Sequence, residues 1–351
     1  MSSSSVQPTF APAPVPGARR SLLVVIVAVG ALLLLGWGVF AFVVLPGRFV
    51  LGSEGVFGVG LAVTAFLLGV RHAFDPDHVA AIDNTTRKLV ADGRDSVAVG
   101  FWFALGHSTV VVGTVILLTV GIGALASQIT SESSPLYAVT AVWGPAVAGV
   151  FLVLIGALNI APLRALLRVR ASRGTAAERV TDADAALARR GFLARVLAPI
   201  SRRVDRPWKM YLVGLLFGLG FDTASTIALL VLGANAATTA PWYAVLVIPL
   251  LFTAGMVTFD AANGLAMTSA YRWAHRRPER RIDYNIVVTA LSVVIAFAIG
   301  LLSLSTALSE LVPGGLLSTL AAIDLGDLGF AIVALFILIW AIAWLAGRSR
   351  P

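Results

Sequence analysis

Leu22 to Leu45 is a run of residues with no charge in it. Such a run must be hidden from water, and about 20 apolar residues suffice to cross the hydrocarbon core of a bilayer. The apolar core of a secretory signal holds only about 7–15 residues. The run therefore reads as an uncleaved first membrane span, preceded by Arg19 and Arg20. A twin-arginine export signal is the weaker alternative. Seven further runs follow, at roughly 56–83, 97–126, 136–163, 209–233, 242–271, 285–308 and 328–347. Barrel strands are far shorter than these runs, so helices are the only remaining way to satisfy the backbone in lipid. The expected fold class is an all-α integral membrane protein with eight transmembrane helices.

Composition agrees. Of 351 residues, 58% are hydrophobic and 13% charged, with a mean hydropathy of +0.91. Soluble domains hold about 45–50% apolar and about 25% charged residues. The absence of cysteine excludes disulfides, thiolate metal sites and cysteine nucleophiles. A net charge of +8 would suit nucleic acid, but its distribution argues otherwise. With eight spans and both termini cytoplasmic, 24 of the 26 Lys and Arg residues fall inside the cell, leaving Arg48 outside and Arg71 within a span. Glu54, Glu132, Glu310, Asp324 and Asp327 fall on the presumed outer loops. The positive-inside rule explains this alternation, so the basic balance sets topology and no nucleic-acid partner is expected.

The layout that follows is a disordered tail at 1–20, rich in Ser, Pro and Ala. Helices 1–4 lie in 21–163. A basic cytoplasmic linker, partly helical, occupies 164–208, and helices 5–8 lie in 209–347, followed by a tail at 348–351. The two halves show faint similarity. FDPDHVAAI (74–82) aligns with FDTASTIAL (221–229), and Gly106 with Gly255. In the eight-span topology the second span enters from outside and the fifth from inside, as in an inverted repeat with a site near its interface. Chance similarity between apolar helices is the competing explanation.

The stretch RHAFDPDH (71–78) places two histidines and two aspartates inside the second span. Ionisable groups there are costly, about 2.5–3.5 kcal/mol each on insertion scales, and normally serve a cavity or a partner. On a straight helix His72, Asp75 and His78 share an arc of about 120°, while Asp77 points away. Pro76 lacks an N–H, so the helix is expected to break there, free the His72 carbonyl and bring Asp77 round. Imidazole and carboxylate without thiolate suit first-row divalent metals, and His107 supplies a third imidazole. An internal pair, such as Arg71 with Asp75, is the structural alternative. Asp83 serves the pathway, caps the span or pairs with Arg87. Asp222, Asp260 and Asn263 are further candidates for the pathway or for coupling, or else bond between helices. Asn285, Thr289 and Ser292 form a stripe better suited to helix packing.

RHAFDPDHVAAIDNTTRKL (71–89) resembles the signature of the nickel/cobalt permeases, whose HxxxxDH core matches His72, Asp77 and His78. FWFALGHSTVV (101–111) is similar to their third-span motif, with His107 as its histidine. LFGLGFDTAS (216–225) and GMVTFDAANG (255–264) resemble their fifth- and sixth-span motifs. The likeness runs over residues 50–310. It implies eight spans, cytoplasmic termini and import of Ni²⁺ or Co²⁺ across the plasma membrane, with the ion as cargo and no permanent cofactor. Pro76 stands where the family usually has Ala, Thr226 where it has Glu and Asn263 where it has Asp. Ser303 lies near a usual Glu. Three missing acids bear on metal preference, affinity and proton coupling.

A secondary transporter is thus the leading expectation. The chain has no GxxxxGK[ST] loop. An intramembrane metalloenzyme would need an open metal position and a base, and HExxH is absent. A divalent-metal exporter differs from an importer only in direction, which residue chemistry does not set.

Overall fold

The computed structural model describes residues 17–49, 56–119, 134–171, 204–220, 224–237, 240–275, 278–312, 314–323 and 328–348. Every apolar run named above that falls within these residues is helical. The first run forms α1 (Ala18–Gly47), which loosens into a π-turn at Phe40–Val44. The second is divided into α2 (Val59–Ala73) and α3 (Pro76–Ala91). Then come α4 (Val99–Thr119) and α5 (Pro135–Ala171). The fifth run is also in two pieces, α6 (Met210–Gly218) and α7 (Ala224–Ala237). A short α8 (Trp242–Val245) leads into α9 (Val247–His275). Last come α10 (Pro278–Leu311), a short α11 (Gly315–Ala321) and α12 (Leu328–Arg348).

The protein is an all-α membrane protein. Among the described residues five helices are individually long and apolar enough to cross a bilayer: Ala18–Gly47, Val99–Thr119, Ala138–Ala171, Trp242–Arg272 and Ile286–Leu311. The second and fifth expected spans are the two that are broken, and the apolar part of the eighth is Leu328–Ile339. The helix expected to end near residue 163 continues to Ala171, so the linker begins as helix. The tail up to residue 16, residues 172–203 of the linker, and Asp222 lie outside the described residues.

α9 is the hub. Its apolar window is 78% buried, against 11% for α1. It packs on α2, α3 and α4, while α4 packs on α6 and α5 on α10. Close approach at these crossings depends on glycine. A Cβ on Gly69 would overlap the Phe252 carbonyl, and one on Gly255 the Phe66 carbonyl. The α4–α6 crossing repeats the arrangement, with Gly106 against the Tyr211 carbonyl and Gly214 against the Phe103 carbonyl. Gly149 and Gly300 face each other where α5 meets α10. Small residues of this kind let helix backbones approach where no hydrophobic effect drives them together.

Candidate metal centre

The site is built on the break between α2 and α3. Pro76 is the first helical residue of α3, where its missing N–H costs nothing and its fixed φ suits the helix. Asp75 before it is extended (φ −61°, ψ 136°), as the residue before proline prefers. The end of α2 tightens: Phe74 N–H donates to the Arg71 carbonyl and Asp75 N–H to the His72 carbonyl, both at 3.0 Å. The His72 carbonyl is therefore satisfied by a shorter turn and not left free for an ion, which corrects the expectation drawn from Pro76.

The break does bring the histidines together. His72, His78 and His107 are 1%, 1% and 3% exposed. One ring nitrogen from each lies within 4.8 Å of the others. The Nε2 atoms of His72 and His107 are 2.9 Å apart. Two of the rings are held from behind by carboxylates. His72 Nδ1 is 2.7 Å from Asp75 Oδ2, and His78 Nδ1 is 3.3 Å from Asp260 Oδ2. A carboxylate behind Nδ1 keeps the proton there and turns the Nε2 lone pair forward, the usual support for a metal-binding imidazole. In the His72–His107 bond His107 Nε2 is then the donor, and its Nδ1 has no partner. Phe103 meets the His78 ring edge-on at 4.8 Å, and Phe252 lies 5.6 Å from the His72 ring. These apolar walls exclude water and strengthen every charge interaction inside.

The carboxylates expected among the ligands stand differently. Asp75 is engaged by His72, and Arg71, its suggested partner, is exposed. Asp77 sits in the first turn of α3 and its Oδ1 accepts the His78 N–H at 2.9 Å. Neither belongs to the close cluster of three imidazoles. Asp260, foreseen only as a pathway or coupling group, is the residue that orients His78. Asn263 lies one turn further along α9, and its Nδ2 is buried without a partner. Thr226 on α7 is 1% exposed.

Asp83 lies deeper along α3, 1% exposed, and accepts a hydrogen bond from the Tyr271 hydroxyl. Nothing in the sequence around Tyr271 marks it as such a donor. Because His78 meets Asp260 and Asp83 meets Tyr271, α3 and α9 run in the same direction. The second and sixth spans of the expected topology likewise run in one direction. Asn84 and Asn159, also missed, bond through Asn159 Nδ2 to Asn84 Oδ1 at 2.9 Å.

Comparison with known proteins completes the picture. A family model described as high-affinity nickel-transport protein matches residues 58–346. The chain is 46% identical over 324 residues to the nickel transporter NicT of Mycobacterium tuberculosis, covering 91% of this chain and 87% of that protein. It is 43% identical over 297 residues to the cobalt transport protein NhlF of Rhodococcus rhodochrous, covering 83% and 84%. It is 43% identical over 286 residues to the high-affinity nickel-transport protein NixA of Helicobacter pylori (strain J99), covering 79% and 85%. No solved structure matches. With a buried imidazole cluster on its most distinctive motif and this likeness over most of its length, the chain belongs to the high-affinity nickel-transport family, as a multi-pass membrane permease of the nickel/cobalt class and not an enzyme.

Proposed function

We propose that the protein is a secondary transporter that imports Ni²⁺ or Co²⁺ across the plasma membrane, with both termini cytoplasmic and eight spans. The ion is held in transit by His72, His78 and His107. The observation that carries this reading is the convergence of three buried imidazoles on a helix break. Asp75 and Asp260 orient two of them, and Asp77 completes the negative charge around the site. Imidazole favours nickel, cobalt, copper and zinc over the hard cations.

Binding has a proton cost. The His107 Nε2 proton that bonds to His72 must move to Nδ1 or leave before that nitrogen can hold a metal. Acid therefore opposes loading. A membrane potential supplies inward drive of about 4.6 kcal/mol per 100 mV for a divalent ion. The test is flux of radioactive Ni²⁺ and Co²⁺ into liposomes containing the purified protein, with and without a pH gradient. Accumulation driven by an inside-negative potential, lost in His72→Ala, supports the reading. Flux that persists in His72→Ala removes the site, and efflux against the potential reverses the direction.

A further inference from the structure

Beyond the histidine site, the inner half of α3 carries a second buried polar group. Asp83 Oδ1 is held by Tyr271 and the Ser292 hydroxyl on α10 also faces the carboxyl, but Oδ2 makes no hydrogen bond. One helical turn on, Arg87 is 8% exposed. Its Nη2 donates to Asn84 Oδ1 at 3.0 Å, while Nε and Nη1 have no partner. Buried charges with open valences are expensive and rare in a purely structural cluster. Asp83 and Arg87, four apart, share one face of α3.

We propose that Asp83, with Asn84 Oδ1, is a second station for the divalent cation on its way inward, and that Arg87 is the tethered cation that holds the station when the metal is absent. This rests on the transport reading above. A guanidinium beside Asp83 neutralises it and blocks the path with positive charge. Arg87 lies one turn before the end of α3 at Ala91, and a long basic side chain in that place can extend its charged head towards water. Its withdrawal frees one lone pair on Asn84 Oδ1 and leaves that oxygen and Asp83 Oδ2 open to an ion. The resulting set is all oxygen, which holds nickel and cobalt less tightly than imidazole does. An ion passing from three imidazoles to such a set moves from strong to weak binding, and the returning Arg87 expels it. One side chain thereby closes the inner path and prevents the ion from resting there.

The test is a count of bound Co²⁺ per chain by equilibrium dialysis of the purified full-length protein in detergent. The unaltered chain should bind one ion tightly, and Arg87→Gln should bind two at the same free Co²⁺. The double variant Arg87→Gln/Asp83→Asn should return to one. Arg87→Gln/His72→Ala should keep one, because the second station does not depend on the histidines. In the unaltered chain the second ion should appear only at free Co²⁺ about tenfold or more higher, and Asp83→Asn should remove it. This last comparison leaves Arg87 intact, so it stands even if Arg87→Gln folds poorly. If Arg87→Gln still binds one ion, or if the second ion in the unaltered chain survives Asp83→Asn, the station does not exist. Loss of the tight ion in His72→Ala reports on the histidine site separately.

Discussion

Three imidazoles within 4.8 Å of one another tolerate no substitute, because no residue type other than histidine offers a neutral imidazole nitrogen to a metal, and the fourth histidine, His275, lies at the far end of α9. His72→Ala and His78→Ala should therefore each abolish Ni²⁺ uptake while the protein still reaches the membrane. Uptake near that of the unaltered chain in either variant would show that the ion travels elsewhere. Asp260→Asn should act more mildly. The amide keeps an oxygen near His78 Nδ1 but removes the charge, and loss of such a partner typically costs 10–100-fold in metal affinity or activity. The readout is half-saturation of uptake, with membrane content unchanged. At this scale the sequence was informative about His72, His78 and His107, because ligand-type residues stand out in an apolar background. It was less so about Asp77, whose carboxylate caps the backbone, and silent about Tyr271. The partners that orient His78 and Asp83 sit on α9, more than 180 residues away. Local spacing carries no trace of a contact between distant helices.

At the scale of the helix, Pro76 made the break readable but not its form. A proline inside a helix was expected to free a carbonyl, whereas a proline that starts a helix frees none. Pro76→Ala should keep the fold and permit uptake. It lowers stability by about 0.4–1 kcal/mol through the greater freedom of the unfolded chain. A complete loss of uptake would show that the rigid junction itself is required. The glycine crossings make a sharper test. Gly214→Ala places a methyl group on the Phe103 carbonyl, an overlap that only helix displacement relieves. It should cost roughly 1–3 kcal/mol or more, as overpacking does, and lower the midpoint of thermal unfolding in detergent. Gly30→Ala on α1 meets nothing within 4 Å and should be neutral or slightly stabilising. Equal midpoints for the two variants would mean that the α4–α6 crossing is not tight. The sequence could not distinguish these glycines, because whether a glycine faces lipid or a neighbouring backbone depends on packing.

For the whole molecule, apolar length made the helical fold legible and Pro76 the break in the second run, whereas the break in the fifth run between α6 and α7 has no proline to mark it. The crossings α2–α9 and α4–α6 pair Gly69 with Gly214 and Gly255 with Gly106, each about 150 residues apart, which supports the faint repeat in the sequence. The halves are also joined at the end of the molecule where Lys and Arg gather. Asp205 lies 3.1 Å from Arg94, in the turn between α3 and α4, and 2.5 Å from Lys209, just before α6. Lys88 Nζ donates to the Val204 carbonyl at 2.7 Å. The Lys209 ammonium, helped by Arg94, holds the Asp205 carboxyl down at about 2, against an ordinary 3.8. A lowered carboxylate pKa means that the link is complete above about pH 4 and is lost as pH falls through 2. Between pH 5 and pH 8 it does not titrate. A change of metal uptake in that range is then expected from the buried site, where protons compete with the ion. Asp205→Asn should thus leave the shape of the pH profile of Ni²⁺ uptake unchanged from pH 5 to 8. It should remove the part of thermal stability that the unaltered protein loses between pH 4 and pH 2. Salt should diminish that stability difference, since the three side chains are 26–45% exposed and the pairs are screened. A shifted uptake midpoint in Asp205→Asn would place the pH sensor at this link and not in the buried site.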